Sequence, residues 1–339
     1  MKSGSHLESV LEAGHFAVTA ELGPPTGCAP DVVRQKARLL SGYADAINLT
    51  DCQTAVVRLS SIASAVIVMQ EGLEPVMQMT TRDRNRIAIQ ADILGAAALG
   101  VRNCLCIAGD HQSFGAAGKL QGHPGAKNVY DIDSIQLVFV LKTLRDEHRQ
   151  QGGDPVEPAP RLYIGAAWTP LAEPEDFRVL RLAKKVAAGA DFIQTQGVYD
   201  VARFAECMAK ARKLGLHEKT AILAGIIVPK SAGMLRYMNS SVPGVKVPEA
   251  LIKRFPAARK DAPATEKEEV RRKSEEVGKQ IAVELIQEIR RIEGVRGVHL
   301  QAIEWESAVP DIIKAAGLFP RPAVSASEAT AGRLADVRP

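Results

Sequence analysis

Apolar residues in this chain gather in short runs, several with a polar side chain at or next to their end, and turn residues and helical periodicity follow each run. The runs are His15–Leu22, Asp45–Asp51, Pro75–Thr80, Asn103–Asp110, Arg161–Trp168, Asp191–Gln196, Thr220–Val228 and Gly297–Ile303. Continuous apolar runs of this length predict parallel strands covered on both faces. Helical patterns fill the gaps, notably Asp83–Leu99, Ser134–His148, Glu173–Ala188, Val201–Leu214, Lys267–Ile292 and Ser307–Ala316. Eight strands alternating with about eight helices predict the α/β class and a single (β/α)8 TIM barrel. A doubly wound open sheet is the runner-up, but the first βα turn carries no GxGxxG fingerprint.

Three stretches interrupt the repeat. Gln112–Asn128 is a long Gly-rich loop directly after the fourth strand, where long loops often contact ligands. Its GAAGK lacks the spacing and following hydroxyl of a phosphate loop. Ala257–Val277 is dense in Lys, Arg and Glu and reads as a charged helical extension before the eighth strand. The expected domain therefore spans 1–320, and 321–339, low in aromatics, is expected to be a disordered tail.

Composition narrows the class. With 46% hydrophobic residues the 339-residue chain can bury a large core, and 43 basic against 39 acidic side chains leave a net charge of only +4. That balance argues against a nucleic-acid or anionic-membrane partner. The absence of a signal-like N-terminus or long apolar segment leads to the expectation of a soluble, cytoplasmic protein. Five irregularly placed cysteines do not form a secreted disulfide framework. Cys104 and Cys106 should point the same way from one strand, as packed thiols rather than as a metal pair. The seven histidines are scattered and no HExxH or paired CxxC occurs, so no metal site is expected.

Three of the strand runs close on acids, Glu21, Asp51 and Asp110. A closed barrel would gather all three at one mouth, where active sites are built, and this recurrence predicts an enzyme. The bland alternative is that each acid caps the helix that follows.

The succession AELGPP (Ala20–Pro25), INLTDC, a strand ending in Gly109–Asp110, KKVAAGADFIQTQ (Lys184–Gln196) and LAGIIV resembles the methylenetetrahydrofolate reductase family, in order from about His15 to Leu318. The resemblance implies a barrel that binds a flavin, FAD ahead of FMN, at its strand C-termini. It implies reduction of 5,10-methylenetetrahydrofolate to 5-methyltetrahydrofolate, with NADH or NADPH as electron donor. Glu21 matches the family's proton donor. Asp110 matches an aspartate near both flavin and pterin, and Gln196 a glutamine on the pterin edge. Lys185 matches a lysine that meets the flavin phosphates. Thr50, Asp51, Gln78, Gly109, Ser134, Ala166 and Trp168 fall where family cofactor contacts fall, Trp168 as a broad aromatic wall.

Departures from the family pattern cluster on the electron-donor side. Ala108 stands where many members carry Arg, Gln78 where His is frequent, and Arg178 where Asp is expected. Glu304-Trp305 replaces an Asn-Arg pair, and Gly197-Val198 an aromatic run. They suggest a relative that works with an electron-delivering or zinc-containing partner subunit, as a homo-oligomer. Other readings are a flavin-independent reductase with direct nicotinamide hydride transfer, a pterin-dependent methyltransferase, and a folate-binding subunit.

Overall fold

The computed structural model describes residues 1–113, 122–257 and 263–324. The core of the Gly-rich loop, part of the charged segment and the tail from residue 325 lie outside these residues. Eight parallel strands close into a barrel in sequence order, so the (β/α)8 expectation is met. They are β1 (Ala17–Leu22), β2 (Ala46–Leu49), β3 (Pro75–Thr80), β4 (Asn103–Ile107), β5 (Tyr163–Trp168), β6 (Phe192–Gly197), β7 (Ala221–Ile227) and β8 (Val295–Gln301). The β1–β8 ladder runs from Ala17↔Gly297 to Ala20↔Leu300 and completes the closure.

The helices begin where caps dictate. The pattern from Asp83 becomes a helix only at Arg86–Ala98, because Asn85 accepts from the amides of Ile87 and Ala88 as N-cap. Asp133 and Gln136 form a capping box on the helix Ser134–Asp146. The pattern from Glu173 starts its helix at Glu175, behind Pro174.

Strand parity sorts the side chains into two cores. Val18, Ile47, Met77, Cys104, Cys106, Ile164 and Ile193 face the surrounding helices, so both strand thiols are buried in packing, as expected. Ala17, Ala46, Val76, Leu105, Tyr163, Phe192 and Leu223 face the axis and form its floor. Gly165 makes room there, since a Cβ on it would come within 2.3 Å of the Phe192 ring. The short N-terminal helix His6–Glu12 seals this end with Leu7, Val10 and Leu11.

Two aspartates half a barrel apart pin the strand starts in the same way. Asp45 Oδ2 accepts from Val18 N at 2.7 Å, and Arg321 brackets the carboxylate. Asp191 Oδ2 accepts from Ile164 N at 2.8 Å and is paired with buried Arg145. Asp191→Ala would strip buried Arg145 of one of its two carboxylate partners, Asp146 keeping the other, and leave the Ile164 amide without its acceptor, a loss of about 2 kcal/mol. The expected outcome is a fall of that size in unfolding free energy by urea titration.

Candidate active site

The strand C-termini surround a cavity of about 1060 Å³. Above the apolar floor, the next layer along the axis is polar. Asn48 and Gln194 face each other across the barrel in a reciprocal amide pair, at 2.7 Å from Asn48 Nδ2 to Gln194 Oε1 and 3.1 Å from Gln194 Nε2 to Asn48 Oδ1. Gln194 Nε2 also donates to Thr19 Oγ1 at 3.0 Å, and Thr19 Oγ1 lies 3.0 Å from His299 Nδ1. All four residues are buried. His299 Nε2 stands 3.9 Å from Glu21 Oε2, and Glu21, half-buried at the end of β1, lines the cavity.

Of the expected residues, Glu21, Thr50, Asp51, Gln78, Gly109, Asp110, Trp168 and Gln196 meet at this cavity. Their environments differ. Asp51 is buried and neutralised: it accepts from Thr80 N and Oγ1, both at 2.9 Å, and from Arg84 at 2.7 and 3.2 Å. Asp110 is exposed, and its Oδ2 accepts from Thr54 N at 3.2 Å. Gln196 Oε1 is turned to Gly197 N at 3.0 Å. Thr50 Oγ1 donates to Gln53 at 2.7 Å.

Three expected contacts lie off the cavity wall. Ala166 shares the parity of Ile164 and packs against the helices, while its neighbour Ala167 lines the cavity. Ser134 is the first residue of its helix and does not line the cavity. Lys185 lies on the buried stripe Val179, Leu182, Lys185, Ala188 of the helix Glu175–Ala188, and its ammonium donates to Ala167 O. Burial pushes its pKa down to about 8, helped by Arg181. Trp168 also differs from the open aromatic wall expected of it. Its indole N–H donates to Arg178 O at 3.0 Å and its ring lies against Phe204, leaving 3% of the residue exposed.

Several groups were not anticipated. Arg82 lines the cavity and supplies a guanidinium beside Asp110, where Ala108 offers none; it donates to Asp110 O and Cys52 O at 3.1 Å and pairs with Asp83. These bonds hold a loop in which Cys52, Thr54 and Ala55 have φ of 48°, 55° and 57°. Lys36 and Glu306 pair at 2.7 Å on the cavity wall. The signal for Thr19, Asn48 and Gln194 was present in the sequence. Each lies two positions before a polar strand end, Glu21, Thr50 or Gln196, and so shares its face.

A sequence profile described as methylenetetrahydrofolate reductase matches residues 6–317. The chain belongs to the methylenetetrahydrofolate reductase family. A probable methylenetetrahydrofolate reductase (NADPH) of Caenorhabditis elegans is 19% identical over 325 residues, covering 92% of this chain and 44% of that protein. The chain thus spans less than half the length of that curated relative. Among solved structures, a Clostridium thermocellum protein described as binding two copies of 5-methyl-5,6,7,8-tetrahydrofolic acid superposes with a TM-score of 0.57. It is 14% identical, and the match covers 92% of this chain and all of that one. At that identity the likeness shows the shared barrel.

For the flavin of this family, the residues present divide into two sets. Thr50, Gln78, Gly109 and Asp110 give the cavity hydroxyl, amide, bare backbone and carboxylate groups, a set that suits the edge of a flat heterocycle. Gly109 has φ 87°, and a Cβ there would press within 3.1 Å of Thr80 and Arg82. At the expected phosphate end, Lys185 is held by Ala167 O, and Arg178 donates to Ala172 O and Glu173 O. The ring end fits and the phosphate end offers no free cation from these two residues. Among the described residues no helix is long and apolar enough to cross a membrane, and no group of three His, Cys, Asp or Glu could hold a metal.

The Lys185 shift fixes the sign of a pH effect. The folded state holds the proton less tightly than the unfolded chain, whose lysine keeps a pKa near 10.5. Between about 8 and 10.5 the unfolded state binds more protons, so stability from this group rises with pH across that window. Relative to Lys185→Met, the wild type should gain up to about 3 kcal/mol between pH 7.5 and 10.5. Urea midpoints of both proteins at several pH values check this.

Proposed function

We propose that the chain reduces 5,10-methylenetetrahydrofolate to 5-methyltetrahydrofolate at the barrel mouth, with Glu21 as general acid. The observation that supports it most is a half-buried carboxyl, with a buried imidazole behind it, on the wall of a cavity large enough for a pterin. The folate bound by the Clostridium thermocellum protein of the same fold agrees with this choice of ligand.

The chemistry needs one proton and one hydride. Glu21 delivers its proton to N10, the bond from N10 to the bridging methylene breaks, and the carbon is left as a 5-iminium cation. Hydride then converts it to the 5-methyl group. Asp110 stabilises the cation and accepts from the 2-amino-pyrimidinone edge. Gln196 offers its amide to the same ring. A flavin, when bound, would supply the hydride, with Thr50, Gln78 and Gly109 as ring contacts.

A second reading is direct hydride transfer from a nicotinamide: with Lys185 and Arg178 on backbone carbonyls, these two residues give no fixed grip on the phosphates of a resident flavin, whereas a nicotinamide donor need bind only for the transfer. Gly197-Val198 and Glu304-Trp305 on the donor side support an electron-delivering partner subunit. We place the enzyme in the cytoplasm as a homo-oligomer.

The visible spectrum of the purified chain, reconstituted with FAD or FMN and treated anaerobically with NADH and then folate, separates the readings. Flavin bands that folate restores after reduction support the first reading. A colourless protein that still turns over folate with NADH supports the second; no folate reduction with NADH, and none by chemically reduced flavin on the chain, sinks both. Glu21→Gln should lower folate turnover by about 10²-fold or more with binding retained. Asp110→Asn keeps an oxygen for Thr54 N, so a roughly tenfold weaker folate Kd, read by calorimetric titration, would report the lost charge.

A further inference from the structure

The four buried side chains beneath Glu21 form a hydrogen-bond chain with a direction. Asn48 Nδ2 donates to Gln194 Oε1, and Gln194 Nε2 donates to Thr19 Oγ1. Thr19 Oγ1 thus already accepts one bond, and its own hydrogen needs an acceptor, because a buried hydroxyl left unpaired is costly. Among the described residues the acceptor it meets is His299 Nδ1, at 3.0 Å. An imidazole whose Nδ1 accepts carries its hydrogen on Nε2, the nitrogen that faces Glu21.

We propose that His299 is a positioning residue for Glu21, held by the Asn48–Gln194–Thr19 chain as the Nε2–H tautomer so that a donor meets the carboxylate left by proton delivery. The inference rests on the reading of Glu21 as the acid. A neutral donor aimed at that oxygen stabilises the charged form that appears as the N10 proton leaves, and this lowers the barrier more than it stabilises the starting acid. The 3.9 Å separation exceeds hydrogen-bond length, and catalytic contacts of this kind tighten in the substrate complex. Glu21 has the more open side chain, 19% exposed, whereas His299 is 2% exposed and tethered through Nδ1. Thr19 reaches neither cavity nor substrate and acts only through the imidazole: it is fully buried and does not line the cavity.

The test is a long-range proton–nitrogen correlation spectrum of the full chain labelled with ¹⁵N-histidine, with the His299 signals assigned by their loss in His299→Gln. The wild type should show the Nε2–H pattern. Thr19→Val, nearly isosteric, removes the hydrogen bond to Nδ1, so the Nδ1 signal should move towards that of an imidazole nitrogen with no hydrogen bond, and kcat for folate should fall about tenfold with KM within about twofold. An Nδ1–H pattern in the wild type, with the chain running in reverse, overturns the proposal, as does a Thr19→Val protein with the Nδ1 signal moved and kcat unchanged. Full turnover by Glu21→Gln would instead remove the acid assignment, and the tautomer spectrum of that variant would still report the state of the chain.

Discussion

A closed barrel of parallel strands has an axis that side chains must fill, and here its middle layer is filled by polar groups that satisfy one another. Asn48 on β2 and Gln194 on β6 sit half a barrel apart and meet in a two-bond amide pair. Either amide left alone at this depth would cost about 1–3 kcal/mol, so the pair fixes the two strands' relative height as well as their side chains. An apolar layer would have filled the space with less at stake. It would also have left Thr19 without a donor and the His299 ring without a preferred orientation, and Glu21 stands on that ring's far side.

The mouth shows why a polar strand end is not by itself a functional residue. Asp51 closes its run as Glu21 does, yet two bonds from Arg84 and two from Thr80 consume its carboxylate. Its work is to tie the β2 and β3 ends together. Asp110 has a double part, because its side chain holds the Thr54 amide and its carbonyl receives Arg82. The loop so held contains three non-glycine residues in the left-handed region, each at a cost of order 1 kcal/mol or more. Without the Arg82 and Asp110 clamps this loop would relax, and the cavity wall formed by Gln53 and Thr54 would move with it.

The barrel was legible because period and length speak directly to strand burial: eight runs were read and all eight are strands. That Glu21, Asp110 and Gln196 would meet at one mouth was legible because strand C-termini converge wherever the barrel closes. The facing of Ala166 and Lys185, off the cavity, was not legible because motif position carries no information on it. Strand parity puts Ala167, not Ala166, on the axis. Helix spacing puts Lys185 on the same stripe as Leu182 and Ala188, where a lysine stem must bury and its ammonium must find a nearby carbonyl. His299 was missed for the opposite reason. It lies inside an apolar run, and only the closure of β8 on β1 brings it to Thr19 and Glu21.

The two sides of the mouth are built to different standards. Behind Glu21, a chain of paired donors and acceptors runs from His299 across the barrel to Asn48. Such support shells hold a reacting group within the tolerance that proton transfer requires. Three cations near the mouth are committed to the protein: Lys185 to Ala167 O, Arg178 to Ala172 O and Glu173 O, and Arg82 to Asp83, Cys52 O and Asp110 O. Recruiting any of them to a phosphate would first break a bond that holds a loop or strand end. A flat ligand gripped mainly by its ring, through Gln78, Thr50 and the bare Gly109 backbone, avoids that cost.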